Sequence, residues 1–227
     1  RRVLDATPSE VLVEAGAGED WHAFVGWTLD QGLSGLENLS LIPGSVGASP
    51  IQNIGAYGVE MCERFDSLDA VSLHDGASRR FGGADCAFGY RDSVFKRPGG
   101  SEWLITKVRF RLARSARLCL DYGEIRDELR ATGVASPTAR DVSEAICAIR
   151  RRKLPDPATM GNAGSFFKNP VVERELAERL RAAHADMPVF PAESPARAKL
   201  SAAWLIDRCG WKGFRDGDAG VHDRHAL

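Results

Sequence analysis

Residues 41–60 constrain this chain more than any other stretch. The segment LIPGSVGASPIQNIGAYGVE holds four glycines and two prolines, and Glu60 is its only charge. A solvated surface loop is normally more polar than this. A strand or helix interior does not tolerate so many glycines, because each costs backbone entropy and offers no side chain to pack. The composition therefore predicts a tight, mostly buried turn whose backbone comes close to something else. Small residues leave main-chain N–H groups open to a ligand, and phosphate is the commonest ligand of such a surface. A Gly-rich crossover that binds nothing has the same composition.

The 227 residues suffice for a sizeable core and for one or two domains. With 44% hydrophobic and 27% charged residues, the chain falls in the soluble globular class. A formal net charge of −1 gives no global field toward nucleic acid or membranes, so neither is expected as a partner. No apolar run is long enough to span a bilayer, and no signal peptide is visible. The five cysteines are scattered and form no CxxC pair, which predicts a reduced, cytoplasmic protein without a disulfide framework. His222 and His225 lie three apart, but no acid or cysteine completes a ligand set, so no metal is expected. The start at Arg1 and the stop at Leu227 read as cuts, and the chain is expected to be part of a longer protein.

Glu10 to Glu14 reads as a strand leading into a Gly turn. Asp20 can cap a helix whose apolar residues Trp21, Phe24, Val25 and Leu29 fall at helical spacing, with Gly32 and Gly35 beyond its end. Phe65 to Leu73 suggests a strand and DGAS a hairpin turn before Arg79 to Phe81. Trp103 to Leu112 alternates Leu104, Thr106, Val108, Phe110 and Leu112 on one face, as a half-buried strand does. Arg117 to Leu120 is expected to pair beside it. Gly123 to Arg130 reads as a short helix and Asp141 to Arg152 as a clear one, stopped by Pro155 and Pro157. Beyond them, Glu173 to Ala183 and Ser201 to Cys209 look helical, separated by the Pro-rich link MPVFPAESPA. The mixture, without a regular βαβ repeat, predicts an α+β fold.

Three further segments are informative beside the Gly-rich one: FGYRDSVFK (Phe88 to Lys96), KLPDPATMGNAGSFFKNP (Lys153 to Pro170) and KLSAAWLIDRCGWKG (Lys199 to Gly213). In this order and spacing, the four segments resemble the UDP-N-acetylenolpyruvoylglucosamine reductase (MurB) family of bacterial peptidoglycan synthesis, over essentially the whole chain. The resemblance implies a flavin-binding domain of the vanillyl-alcohol-oxidase type followed by an α+β substrate-binding domain. Residues 1–154 would be the second flavin subdomain and residues 155–227 a C-terminally truncated substrate domain. The first flavin subdomain and the family's C-terminal catalytic glutamate would lie outside the chain.

Arg91, in FGYRDS, would on its own be read as a surface or ion-pair residue. The resemblance places it against the reacting enolpyruvyl group, where a permanently charged, rigid guanidinium suits a carboxylate and an enolate. Ser165, in GNAGSFFKNP, would otherwise be a turn or cap hydroxyl. The resemblance makes it the proton donor to the substrate carbon. The implied reaction uses NADPH to reduce FAD, which passes a hydride to the substrate methylene; the enolate is then protonated. Pro43, Gly44, Ser45, Ala48, Ser49, Ile54, Gly55, Ile105 and Arg150 are the implied FAD contacts. Tyr122 matches a tyrosine that covers the UDP-sugar in the form of the family with an extra loop. Lys153, Asn169 and Lys212 would also bind the UDP-sugar, and a monomer is expected. Two rivals remain on sequence: another FAD oxidoreductase of the same fold, and a non-catalytic flavin- or UDP-sugar-binding fragment.

Overall fold

The computed structural model describes residues 1–115 and 117–226. Its contacts divide into two compact units, Arg1–Arg152 and Lys153–Leu227, both mixing helix and sheet. The first unit contains, in order, β1 (Arg2–Ala6), β2 (Glu10–Gly16), α1 (Trp21–Asp30), β3 (Gly55–Ala56), β4 (Val59–Glu60), β5 (Phe65–Ser72), β6 (Ser78–Gly82), α2 (Gly83–Cys86), β7 (Trp103–Ala113), α3 (Ile125–Ala131) and α4 (Ala139–Lys153). The second contains β8 (Val171–Glu173), α5 (Arg174–Ala183), β9 (Val189–Pro191), β10 (Arg197–Leu200), α6 (Ala202–Arg208), β11 (Arg215–Asp216) and β12 (Ala219–Gly220).

A five-stranded antiparallel sheet of order β1-β2-β7-β5-β6 frames the first unit. One face carries Val11, Val13, Leu68, Val108, Phe110 and Leu112, all buried. Helix α1 is part of the same core: Phe110 lies 5.8 Å from the Trp21 ring and 5.4 Å from Phe24. Burying each such side chain contributes about 1.5–3 kcal/mol. The helix starts where Asp20 accepts from the Ala23 amide at 2.8 Å, a cap worth about 1 kcal/mol. The Trp21 indole donates to the Leu39 carbonyl at 2.8 Å, so this large ring is buried with its one polar atom satisfied.

The other face of the sheet carries an ion row that crosses all five strands. Arg2 reaches Glu14, Glu14 and Asp69 both hold Arg109, and Asp69 also holds Arg80. The members come from β1, β2, β7, β5 and β6 in spatial order, so the charge alternates from edge to edge. The row exists because cross-strand neighbours on one face stand side by side.

Two expectations fail locally. Leu104 is exposed while Ile105 is buried, because the β5–β7 register shifts between Asp69 and Ala70. That bulge leaves Thr106 as an extra residue, whose hydroxyl donates to the Asp69 carbonyl at 3.0 Å. Residues 117–120 form no strand; Cys119 instead lends its carbonyl to the Asn38 side chain at 2.9 Å.

In the second unit, β8 and β9 flank β10 in a three-stranded antiparallel sheet. Ala177, Met187, Ala198 and Leu200 form its small core. The Pro-rich link thus holds a strand, with Pro191 at the end of β9, an edge strand that asks least of a missing N–H. Among the described residues, no helix is long and apolar enough to cross a membrane.

Candidate functional site

The Gly-rich segment is stitched to the loop that follows β2. Trp21 N–H donates to the Gly44 carbonyl and Val46 N–H to the Glu19 carbonyl, both at 2.9 Å. Gly47 N–H donates to the Ala17 carbonyl at 2.9 Å. A Cβ at Gly47 would lie 2.5 Å from the Ala17 Cβ and 3.0 Å from its Cα, so the two backbones meet only because residue 47 is glycine. Gly47→Ala is therefore expected to destabilise the chain by about 1–3 kcal/mol. It should also weaken binding of any ligand that uses this loop, as thermal melts with and without that ligand would record.

The expected cofactor residues divide by exposure. Pro43, Gly44 and Ala48 are exposed, and Ser45, Ile54 and Gly55 are half-buried. Ser49 is buried, its hydroxyl donating to the Val46 carbonyl at 2.7 Å. Ile105 is buried on β7 in the same cluster as Val46, with Ile54 packed against it. The segment is thus a half-buried ridge rather than a buried turn. At Gly44 (φ +120°) nothing lies within 4 Å of where a Cβ would stand, so a ligand could approach the bare backbone there. That surface fits the flat, phosphate-bearing group expected of it. Arg150 flanks the same segment, its Nε donating to the Leu41 carbonyl at 3.2 Å. Burial pulls the Arg150 pKa down, and burial raises that of Tyr57 against the opposing Arg150 charge. His22 accepts the Leu41 N–H on Nδ1 at 3.1 Å, and its pKa is lowered, chiefly by burial.

Arg91 occupies the tip of a two-residue turn. Gly89 and Asp92 exchange both backbone hydrogen bonds, at 3.0 and 3.1 Å. Arg91 has φ +54°, a left-handed conformation that costs a non-glycine residue about 1–2 kcal/mol. Its Nη2 donates to the Gly55 carbonyl, and its Nη1 stands 3.7 Å from Glu60 Oε1. Lys96 holds the Arg91 carbonyl at 3.1 Å, and Arg97 holds Asp92 at 3.0 Å. The structure therefore joins the FGYRDS segment to the Gly-rich one.

Tyr122 is exposed and meets Tyr57 edge to face, with centroids 6.4 Å apart. The buried Asn38 amide spans the carbonyls of Tyr57 and Cys119, each at 2.9 Å. In the second unit, Ser165 is exposed, directly after Gly164 (φ +66°), beside the exposed rings of Phe166 and Phe167. Asn169 Oδ1 accepts the Ala202 N–H at 2.9 Å, which fixes its amide at the start of α6. Lys212 stands 3.8 Å from Asp207, and Lys153 ends α4. A surface groove lined by Arg79, Phe81, Pro98, Glu102 and Trp103 holds none of the expected residues. Among the described residues, no three His, Cys, Asp or Glu side chains form a metal-binding group.

Asn53, Glu60 and Asn38 were not expected from the sequence, yet they tie these segments together. Glu60 had a signal, being the sole charge in an apolar stretch. Asn53 had a weaker one, since asparagine is among the few residues that tolerate the left-handed region, where it sits at φ +44°.

Comparison with known proteins gives the family. A model of an FAD binding domain matches residues 1–82, and a model of the UDP-N-acetylenolpyruvoylglucosamine reductase C-terminal domain matches residues 156–227. The UDP-N-acetylenolpyruvoylglucosamine reductase of Pseudomonas aeruginosa is 60% identical over all 227 residues, and the chain spans 66% of that relative's length. The enzyme of the same name from an Azoarcus species is 58% identical over 223 residues, 98% of this chain and 64% of the relative. A crystal structure of the Thermus caldophilus enzyme (MurB) aligns with a TM-score of 0.59 at 28% identity, covering 94% of this chain and 59% of the other. The chain belongs to the UDP-N-acetylenolpyruvoylglucosamine reductase family.

Proposed function

We propose that this chain is the flavin-binding and UDP-sugar-binding core of an enzyme that reduces the enolpyruvyl ether of UDP-N-acetylglucosamine to UDP-N-acetylmuramate. The reaction would use NADPH and belong to peptidoglycan precursor synthesis in the cytoplasm, and so to cell-shape maintenance and division. The observation that carries this reading is the fastening of the Arg91 turn onto Gly55 of the Gly-rich segment. FAD, when bound, would supply the hydride chemistry.

The chain's own residues would do the rest. The ridge from Pro43 to Ala48, with Ser45 between, would take the cofactor's polar backbone; Ser49, Ile54, Gly55 and Ile105 would hold that ridge in shape. Arg150 would add a positive charge beside it. Arg91 would orient the substrate carboxylate and stabilise the enolate as charge builds. Ser165 would give its hydroxyl proton to the enolate carbon. A serine hydroxyl is a weak acid, so only a strongly basic carbon would take that proton. Tyr122, Lys153, Asn169 and Lys212 would hold the UDP-sugar. Residues 1–154 would be the cofactor-binding region, lending Arg91, Tyr122 and Lys153 to the substrate, and residues 155–227 the substrate-binding domain, in a monomer without nucleic acid or membrane partners.

The test is a pair of half-reactions on the full-length protein carrying this chain. Ser165→Ala should leave NADPH reduction of the bound flavin unchanged and slow flavin reoxidation by the UDP-sugar by about a hundredfold. Equal slowing of both half-reactions would refute the proton-donor role. A full-length protein that takes up flavin but turns over no enolpyruvyl UDP-sugar would refute the reductase reading.

A further inference from the structure

Glu60 carries the one charge of residues 41–60, and the reading above gives it no part. Two side-chain donors hold one oxygen of its carboxylate. Asn53 Nδ2 donates to its Oε2 at 2.9 Å. Cys62 Sγ donates to the same oxygen at 3.9 Å, and the Glu60 backbone N–H donates to Glu63 Oε1 at 2.6 Å. The β3–β4 pairing sets Glu60 directly opposite Gly55.

Asn53 is the centre of the arrangement. It is 0% exposed. Besides Glu60, its Nδ2 donates to the Gly89 carbonyl at 3.2 Å, and its Oδ1 accepts from Cys62 N–H at 3.0 Å. One buried amide thus connects the carboxylate, the backbone that follows it, and the first carbonyl of the Arg91 turn. A buried polar group with its partners satisfied rigidifies what it touches. The elements it joins are those that decide where the Arg91 guanidinium lies.

The contact with Arg91 completes the geometry. A Cβ on Gly55 would lie 2.7 Å from Arg91 Nη1 and 3.0 Å from Glu60 Cγ, so glycine at residue 55 makes the room in which the two side chains meet. Nη2 is fixed on the Gly55 carbonyl, whereas Nη1 and Glu60 Oε1 are 3.7 Å apart. That separation exceeds a hydrogen bond. Glu60 therefore attracts Nη1 without occupying its N–H groups, which stay available to an incoming anion.

We infer that Glu60, braced by Asn53, is a positioning residue for Arg91: it aims the guanidinium through charge and shape while touching no reacting atom. The inference rests on Arg91 facing the reacting group in the proposed reaction. Glu60→Gln is the deciding variant, because it removes the charge and keeps the side chain's size and its acceptor for Asn53. Asn53→Ala would lose three hydrogen bonds at once and lower stability, so it decides nothing by itself.

The experiment follows both half-reactions in the full-length protein, with NADPH as reductant and the enolpyruvyl UDP-sugar as oxidant. Glu60→Gln should reduce its flavin at the normal rate and reoxidise it roughly tenfold more slowly, the scale of a slightly misplaced catalytic group. In an Arg91→Ala background the same change should cost nothing further, since there is no guanidinium left to aim. Glu60→Asp, which keeps the charge on a shorter stem, should recover part of the rate. Normal reoxidation in Glu60→Gln, a loss that adds in full to that of Arg91→Ala, or equal slowing of both half-reactions would each overturn the inference. Normal reoxidation in Arg91→Ala itself would instead refute the reading of Arg91.

Discussion

Arg109→Ala should cost the chain about 3–5 kcal/mol of stability, the scale of breaking a buried ion pair from one side. Arg109 and Glu14 are each 5% exposed, and their contact is 2.6 Å. Removing the guanidinium leaves Glu14 buried with only the exposed Arg2 for company. Asp69 keeps Arg80, which is why the damage centres on Glu14. The double variant Glu14→Leu, Arg109→Met should recover much of the loss, because two apolar groups of similar volume carry no desolvation penalty. Denaturant melts of the three proteins test this; a single-variant loss below about 1 kcal/mol would place the row among weak surface pairs.

The same row sets an acid limit. Hydrogen bonds from Arg109 and Arg80 hold the Asp69 carboxyl well below its ordinary range. Burial pushes Glu14 upward, but the hydrogen bond from Arg2 and the Arg109 charge outweigh it, and its pKa is also lowered. A carboxylate depressed in the folded state adds stability above its unfolded pKa of about 4, and that stability is lost as pH falls through the folded value. Melting temperature should therefore drop below about pH 4, and less steeply in Arg109→Ala.

Nothing in the sequence announces this row. Its members are residues 2, 14, 69, 80 and 109, brought into line only by strand order. Local features were legible because they are written locally: the Asp20 cap, the apolar stripe of α1, the β5–β6 hairpin and the stop at Pro155. The β7 alternation was legible from Val108 to Leu112; before it, at Thr106, a bulge shifts the pattern by one residue, and no residue there marks the shift. β1 was missed because all of its residues are exposed, so it lacks the half-buried alternation that marks a strand. For the site, Arg91 could be singled out, but not what supports it. Asn53 and Glu60 act through contacts with Gly89 and Arg91, some 30 residues downstream, and only the fold brings those together.

Arg91 is where local rules and the fold disagree, and that makes the prediction there sharp. A bulky residue sits at φ +54°, a position glycine would fill without strain. Strain of this kind persists where the surroundings impose it, and such positions cluster at functional sites. Arg91→Gly should therefore stay within about 1 kcal/mol of the parent in stability, since relief of the left-handed strain offsets glycine's greater freedom in the unfolded chain. Its effect on the proposed reaction should be far larger. Losing the charge that meets a developing oxyanion costs about a hundred- to a thousandfold in rate. In the reaction proposed for the full-length protein, reoxidation of the flavin by the UDP-sugar should fall by that factor in Arg91→Ala and Arg91→Gly, while reduction by NADPH continues at its normal rate. Arg91→Lys should fall between, because an ammonium keeps the charge but loses the planar fork that grips a carboxylate. Stopped-flow flavin absorbance separates the two half-reactions, and thermal melts report stability on the same samples. A variant that melts early and slows both half-reactions alike would make Arg91 a residue of the fold, and the strain at its φ would then need another cause.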